Sequence, residues 1–549
     1  MKKVISVFLA LLMLFGCIGI SVSAETVNGL IYPTVYIRGK TTQIYNNIGT
    51  ADEWMVSDSS RVFSKEVPDV KAYAVEQAKD ILPDFAIALA TKNYDPWAKK
   101  MSKILEPIYR DFVLDKSGKP QANSGVKFSY TDVQNKRQNG IFPVNMGQDY
   151  SNSCYVLEHD WRLSPLDNAE YLKTYIDAIL AKTGAEKFNL ISRCEGCCIA
   201  LSLFAKYPEY KAKVANNVML GSSANGVVYC SNIFACKFNL NSDAINRYVG
   251  RNFATDSDKS FGGDLFGDDE ALRTFLKETI TLLSVTEALD LPGDNLVELI
   301  NKLAPMVVPD LLMSSYGTCP AYWAMVRDDD YEDAKKIAGL TGNPEWAAFV
   351  ELIDDYHYNV QQKSTEILKD LEENYGVTTA LAVKYGSETL PFIQDCDEIN
   401  DDTTLAKDAS YGAVTAKIGQ TLTDEQLASV DPQYISPDRM IDASKGAFPD
   451  TTWYFKYYRH TMWSGALNQM TYNFIVSNGT MRIGDEGAMP RFQIGDGKGD
   501  QAQPMTEENA NSQSNYYKTN KLSSLFSFLT ALIPMLQRLF NLIKSKLGI

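Results

Sequence analysis

The run NLISRCEGCCIALSLFAKY, residues 189 to 207, constrains the fold of this chain more than any other segment. Phe188 to Ser192 is apolar and reads as a buried strand, and the residues after Cys194 read as a helix. Only a tight turn separates them. Strands joined through helices form parallel sheets, because a crossover must carry the chain back to the starting edge. Residues 34 to 38 (TVYIR), Cys154 to Leu157, Val214 to Leu220, Thr378 to Tyr385 and Thr452 to Tyr458 read as further strands. Leu172, Ile176 and Ile179 mark one face of a helix between two of them, with Asp167 as its expected N-cap and Gly184 as its stop. Residues 68 to 113 also carry apolar residues at helical spacing, whereas 116 to 150 are polar and turn-rich. The expected class is α/β, a mostly parallel sheet with helices on both faces.

Composition narrows what such a sheet could serve. With 549 residues, 45% of them hydrophobic, the chain is long enough for several domains and too apolar to be disordered. Its net charge of −15 would repel nucleic-acid phosphates, so no nucleic-acid partner is expected. Three histidines, His159, His357 and His460, nearly exclude a multi-histidine metal centre, and no metal or other cofactor is expected. Lys2 and Lys3, the apolar stretch Val4 to Ile20 and the small residues Val22-Ser23-Ala24 read as an export signal, residues 1–24. Export places the protein outside the cell or at its surface. Of the cysteines that remain, Cys230 and Cys236 are the first pair to test for a disulfide.

The turn at Ser192-Arg193-Cys194-Glu195-Gly196 carries the chemistry. In α/β-hydrolases the corresponding turn reads G-x-S-x-G, with small residues around a strained nucleophile. Here Ser replaces the first glycine, the second is kept, and Cys stands at the nucleophile position. A helix N-terminus favours the thiolate. Glu195 reads most simply as facing solvent. Activation requires a base and an orienting acid, in the chain order nucleophile, acid, histidine. His460 follows the last expected strand and is the histidine of the C-terminal third. After TTALAVKY come four candidate acids, Asp395, Asp397, Asp401 and Asp402. His159 and His357 read as structural.

Further motifs carry a family resemblance. His159-Asp160-Trp161-Arg162 resembles the Y-D-W-R stretch of the lecithin:cholesterol acyltransferase-like branch of lipases and acyltransferases. NDDTT resembles its G-D-G-T-V and aligns Asp401 with the catalytic acid, while FPDTTWYFKYYRH resembles the segment leading to its catalytic histidine. The resemblance covers roughly 30 to 45, 150 to 226 and 376 to 465. It implies an α/β-hydrolase fold with core segments at 25–225 and 376–490 and a large inserted helical cap at 226–375. It also implies a Cys194-His460-Asp401 triad and an oxyanion hole of the Glu195 and Lys40 backbone N–H groups. The family usually has His-Gly before the latter; this chain has Arg38-Gly39.

Beyond the core, residues 491–520 read as a flexible linker and 521–549 as an amphipathic helix. Leu522, Leu525, Phe526, Leu529, Leu532, Ile533, Leu536, Phe540 and Ile543 lie at helical spacing. Lys521, Arg538, Lys544 and Lys546 make this tail basic in an acidic protein. Its charge-free run is short for a membrane span, so the expectation is peripheral contact with an anionic membrane. Three functional classes compete: an exported ester or thioester hydrolase or acyltransferase acting on a lipid-like or other ester; an inactive relative that binds; and a thiol redox protein using Cys194 and Cys197.

Overall fold

The computed structural model describes residues 32–59, 61–133, 154–239, 244, 293–462, 465–495 and 501–510. The expected signal, the tail helix 521–549 and most of 240–292 lie outside the described residues. Eight strands form the main sheet: β1 (Thr34–Ile37), β2 (Cys154–Leu157), β3 (Phe188–Arg193), β4 (Val214–Leu220), β5 (Thr379–Tyr385), β6 (Thr452–Lys456), β7 (Phe492–Gly495) and β8 (Ala502–Pro504). Their order is β8-β7-β6-β5-β4-β3-β1-β2, all parallel except the edge strand β8.

The strands β1, β2 and β5 are buried along their whole length, as parallel strands covered on two faces must be. Alternation sorts their side chains. Val35, Ile37, Leu190 and Leu381 pack with helices α1 (Pro165–Thr183), α2 (Glu195–Lys206) and α3 (Ser364–Tyr375) on one face. Tyr36, Ile191, Ala380 and Phe455 pack with α4 (Ala466–Val476) on the other.

Between β4 and β5 the described residues contain helices and turns but no strand of the sheet. Most of them share one apolar cluster with the helical stretch around Ile104 to Phe112, which includes Trp161, Trp323 and Tyr331. Among the described residues no helix is long and apolar enough to cross a membrane.

Three expectations need correction. The N-cap of α1 is Ser164, whose side chain accepts from the Leu166 N–H; Pro165 opens the helix, and Asp167 lies in its first turn, paired with Lys119 at 2.7 Å. The stretch 491–520 is not simply a linker. Phe492–Gly495 and Ala502–Pro504 complete the sheet, and a short helix follows at Glu507–Ala510. Cys230 and Cys236 do not form a disulfide; all the described cysteines are free thiols.

The sheet order has one reversal. From β1 the chain first adds β2 on one side, then returns to add β3 on the other. In open α/β sheets the crevice beyond the carboxyl ends of the strands at such a reversal is where ligands bind, because the two flanking loops diverge. Gly39 and Lys40 follow β1, and Cys194 follows β3.

Candidate active site

Cys194 has φ 54° and ψ −126°, a region that L-residues avoid. The surroundings explain how it is held there. Its N–H donates to the Leu220 carbonyl of β4 at 3.1 Å, while its carbonyl already accepts from the Cys197 N–H in the first turn of α2. Gly196 must lack a side chain: a Cβ there would lie 2.5 Å from the Ile37 carbonyl oxygen. Gly39 faces the thiol, where a Cβ would come within 3.0 Å of the Cys194 Cβ. Two glycines thus bring the end of β1 against the start of α2. Ser192, at the position where hydrolases have glycine, is fully buried.

The loop after β1 is anchored by Asp160-Trp161-Arg162. Trp161 Nε1 donates to the Thr42 carbonyl at 3.1 Å. Arg162 makes a buried two-point pair with Asp160 (3.0 and 2.7 Å) and donates to the Phe112 carbonyl at 2.9 Å. The Glu195 N–H opens α2, where amides have no acceptor within the helix. The Lys40 N–H follows the glycine against the thiol.

On the other side of Cys194 stands His460. Its Nδ1 lies 2.8 Å from Asp401 Oδ2, and its N–H donates to the Asp401 carbonyl at 2.7 Å. Asp401 is fully buried. Its Oδ1 accepts from the N–H groups of Thr403 (3.2 Å) and Thr404 (2.8 Å) and from the Thr404 hydroxyl (3.0 Å). Of the other candidate acids, Asp402 pairs with Arg459 at 2.8 Å, and Asp395 accepts from Asn232 and pairs with Arg327. Asp397 takes the Ile418 N–H on its carbonyl. Asp401 is therefore the one that His460 meets.

Lys384, a buried lysine on β5 that the sequence reading passed over, binds the Arg459 and His460 carbonyls and lies 3.8 Å from Asp401 Oδ2. Its signal was a single charge within an apolar strand, since a buried ammonium requires partners. Ser223, also passed over, donates to Cys194 Sγ at 3.7 Å.

The electrostatics follow from these contacts. Burial pushes the Cys194 thiol up, but the charge and hydrogen bond of His460, the Lys40 ammonium and Ser223 outweigh it and bring the thiol down to about 6. Burial pulls His460 down, but Asp401 and Cys194 raise it to about 10. Burial pushes Asp401 up; His460, Lys384 and the Thr404 N–H more than offset this and hold it below the ordinary carboxylate range. At neutral pH the trio is therefore thiolate, imidazolium and carboxylate. Cys197, fully buried, is pushed by burial up to about 12, and Cys198 well above the ordinary thiol value. The redox pairing of Cys194 with Cys197 loses its accessible partner.

Glu195 corrects its expectation. It is fully buried, and burial, with Cys194 and Asp160 adding to it against Lys40, raises its carboxyl well above the usual range. His159, also fully buried, lies with Nε2 4.0 Å from Glu195 Oε1. Burial pulls its imidazole down to about 4. Burial thus favours the neutral form of both groups at this contact. His357 is structural, as expected: it stacks on Tyr331 and bonds to Gln361 at 2.6 Å.

No family model and no curated protein matches this chain. Among solved structures, a chain of the crystal structure of a Tle4–Tli4 complex is similar at 14% identity and a TM-score of 0.18. The match covers 37% of this chain and 48% of that one, about half its length. The chain is placed by its own sheet: it is an α/β protein with a mostly parallel eight-stranded sheet.

Proposed function

We propose that this chain is an exported α/β-hydrolase-type enzyme that cleaves or transfers acyl groups from esters or thioesters through Cys194. The observation that carries the reading is Cys194 on its strained turn, with a His460 that Asp401 orients at 2.8 Å lowering its thiol pKa. The thiolate attacks the acyl carbonyl, and the Glu195 and Lys40 N–H groups receive the developing oxyanion. Each such donor contributes roughly 3 kcal/mol in comparable sites. His460 then passes its proton to the departing alkoxide or thiolate, leaving an acyl-cysteine. Neutral His460 next takes a proton from water, or from an acceptor alcohol, which attacks the thioester and releases Cys194 as the thiolate.

The test is a panel of p-nitrophenyl esters and thioesters of varied chain length, on wild type, Cys194→Ala and Cys194→Ser. Turnover that Cys194→Ala abolishes supports the reading. A folded wild type that is inert on every substrate favours a non-catalytic binding relative. That alternative has chemical grounds, because a thiolate is a better leaving group than an alkoxide and oxyesters therefore acylate cysteine less readily. Peripheral membrane contact through residues 521–549 is proposed alongside, and flotation with anionic vesicles of the full chain against one ending near Asn520 tests it. Equal flotation of the two would refute it.

A further inference from the structure

The hydrolase reading uses Lys40 through its backbone, yet its side chain also enters the crevice. Nζ sits 4.1 Å from the ring centroid of Tyr322, a fully buried tyrosine of the helical insertion. The ammonium acts on the ionisation of Cys194, Glu195, Cys230 and Cys319, groups that come from α2 and from the insertion. Gly39, its neighbour in the chain, lies against the thiol, where a Cβ would come 3.3 Å from Sγ, so Lys40 stands beside the thiol and against the insertion, where residues 319–326 pack against the Asp160-Trp161-Arg162 loop through the Ala321 N–H and the Arg162 carbonyl.

No described carboxylate forms an ion pair with Lys40. Asp160 is committed to Arg162 by two hydrogen bonds, and the neighbouring Glu195 carboxyl is fully buried, 4.0 Å from His159, where burial favours its neutral form. In the resting protein the Cys194 thiolate, shared with the His460 imidazolium, is the negative charge nearest to hand. Acylation removes it: the S–C bond forms, the leaving group departs with the His460 proton, and sulfur becomes a neutral thioester. Lys40, partly exposed, then faces an uncharged acyl group with no described carboxylate paired to it. A substrate that brings its own negative charge restores the balance at that step.

We propose that the Lys40 side chain selects acyl donors that carry an anionic group, a carboxylate or phosphate, close to the reacting carbonyl. This deepens the hydrolase reading and rests on it. Tyr322 supplies the shelf that fixes the ammonium, since a cation over an aromatic face is held without neutralising its charge. The charge then remains available for a ligand.

The test reads Cys194 in two ways on the full chain. The first is alkylation of Cys194, located by mass spectrometry, with iodoacetate against iodoacetamide at neutral pH and low salt. Sulfur displaces iodide in both cases, so any change in the thiolate fraction cancels in the rate ratio. Lys40→Met should lower the iodoacetate-to-iodoacetamide ratio about tenfold, the size of one modest charge interaction of about 1.4 kcal/mol. Lys40→Arg should keep it within about twofold. Should Lys40→Met not fold, Lys40→Gln carries the same comparison with a polar side chain. The second is kcat/KM for mono-p-nitrophenyl glutarate against p-nitrophenyl pentanoate, where the anionic substrate should lead in wild type and lose its lead in Lys40→Met. An alkylation ratio unchanged by Lys40→Met overturns the proposal. A ratio that falls while neither ester turns over leaves the anion preference standing and removes the hydrolase reading instead.

Discussion

Two fully buried carboxyl groups flank the Cys194 thiol, and their surroundings hold them in opposite protonation states. Asp401 receives three hydrogen bonds on Oδ1, the His460 ring on Oδ2, and the field of Lys384. Its charged form is answered on every side. Among the described residues Glu195 has no hydrogen-bond partner on either oxygen, and His159, 4.0 Å away, has none on either nitrogen. A carboxylate left so would cost several kcal/mol, so the group keeps its proton. Burial is equal on the two sides; the number of donors aimed at each group differs. The thiol thus lies between a charged flank that can move a proton and a neutral flank that cannot.

The largest effect should come from removing charge on the Asp401 side. Asp401→Asn keeps the shape but offers His460 an amide in place of an anion. Ester turnover should fall on the order of 10^4-fold, as when the orienting acid of a triad is neutralised. Steady-state kcat on the best ester of the panel checks this. A loss below tenfold would mean that the donors around Asp401 serve the fold rather than the reaction.

A second test follows the thiol itself. The rate of Cys194 alkylation by iodoacetamide should rise with pH through about 6 and then level, because His460 stays protonated until about 10. In His460→Gln the cation is gone and burial is less opposed. The midpoint should then move up toward or beyond the ordinary thiol value of 9.0. At pH 7 the thiolate fraction, and with it the rate, should drop roughly 10^2-fold. A midpoint that stays put would show that Lys40 and the helix N-terminus suffice and that the charged flank is not what ionises the thiol.

The sequence made one flank more legible than the other. Cys194 directly follows β3, His460 lies just past β6 and Asp401 on the loop after β5, and the strands are readable because apolar runs and turn residues mark their ends. Their chain order left four candidate acids, and the resemblance of NDDTT to G-D-G-T-V picked Asp401 among them. Glu195 was misread for a physical reason. A lone glutamate in a first helical turn is usually solvated and favourable to the helix dipole. What buries it is the approach of β1 to Gly196, a long-range contact that no local pattern encodes. The strands at Phe492–Gly495 and Ala502–Pro504 escaped for a similar reason. They are short, flanked by glycine and polar residues, and defined by pairing with β6 and each other rather than by periodicity. Lys384 and the side chain of Lys40 were readable only as charges out of place, without a partner to name.

The smallest effect concerns stability, and it tests the neutral flank directly. With its folded value raised above the ordinary 4.5, Glu195 holds its proton more tightly in the folded state than in the unfolded chain. Its contribution to stability is therefore fully present below about pH 4.5 and is lost as pH rises toward the folded value. His159 acts the other way. Lowered from 6.5 to about 4, it binds fewer protons folded than unfolded, so it costs stability as pH falls through that window. Glu195→Gln removes the first slope and leaves the second. The variant should match wild type in Tm near pH 4.5 and exceed it by about 2 °C or more at pH 8, with a kcat loss under tenfold. Thermal unfolding across that range checks the difference. A constant Tm offset at every pH would mean that Glu195 ionises in the folded protein as it does in the unfolded chain. The flank beside Lys40 would then be charged, and the contrast with Asp401 would collapse.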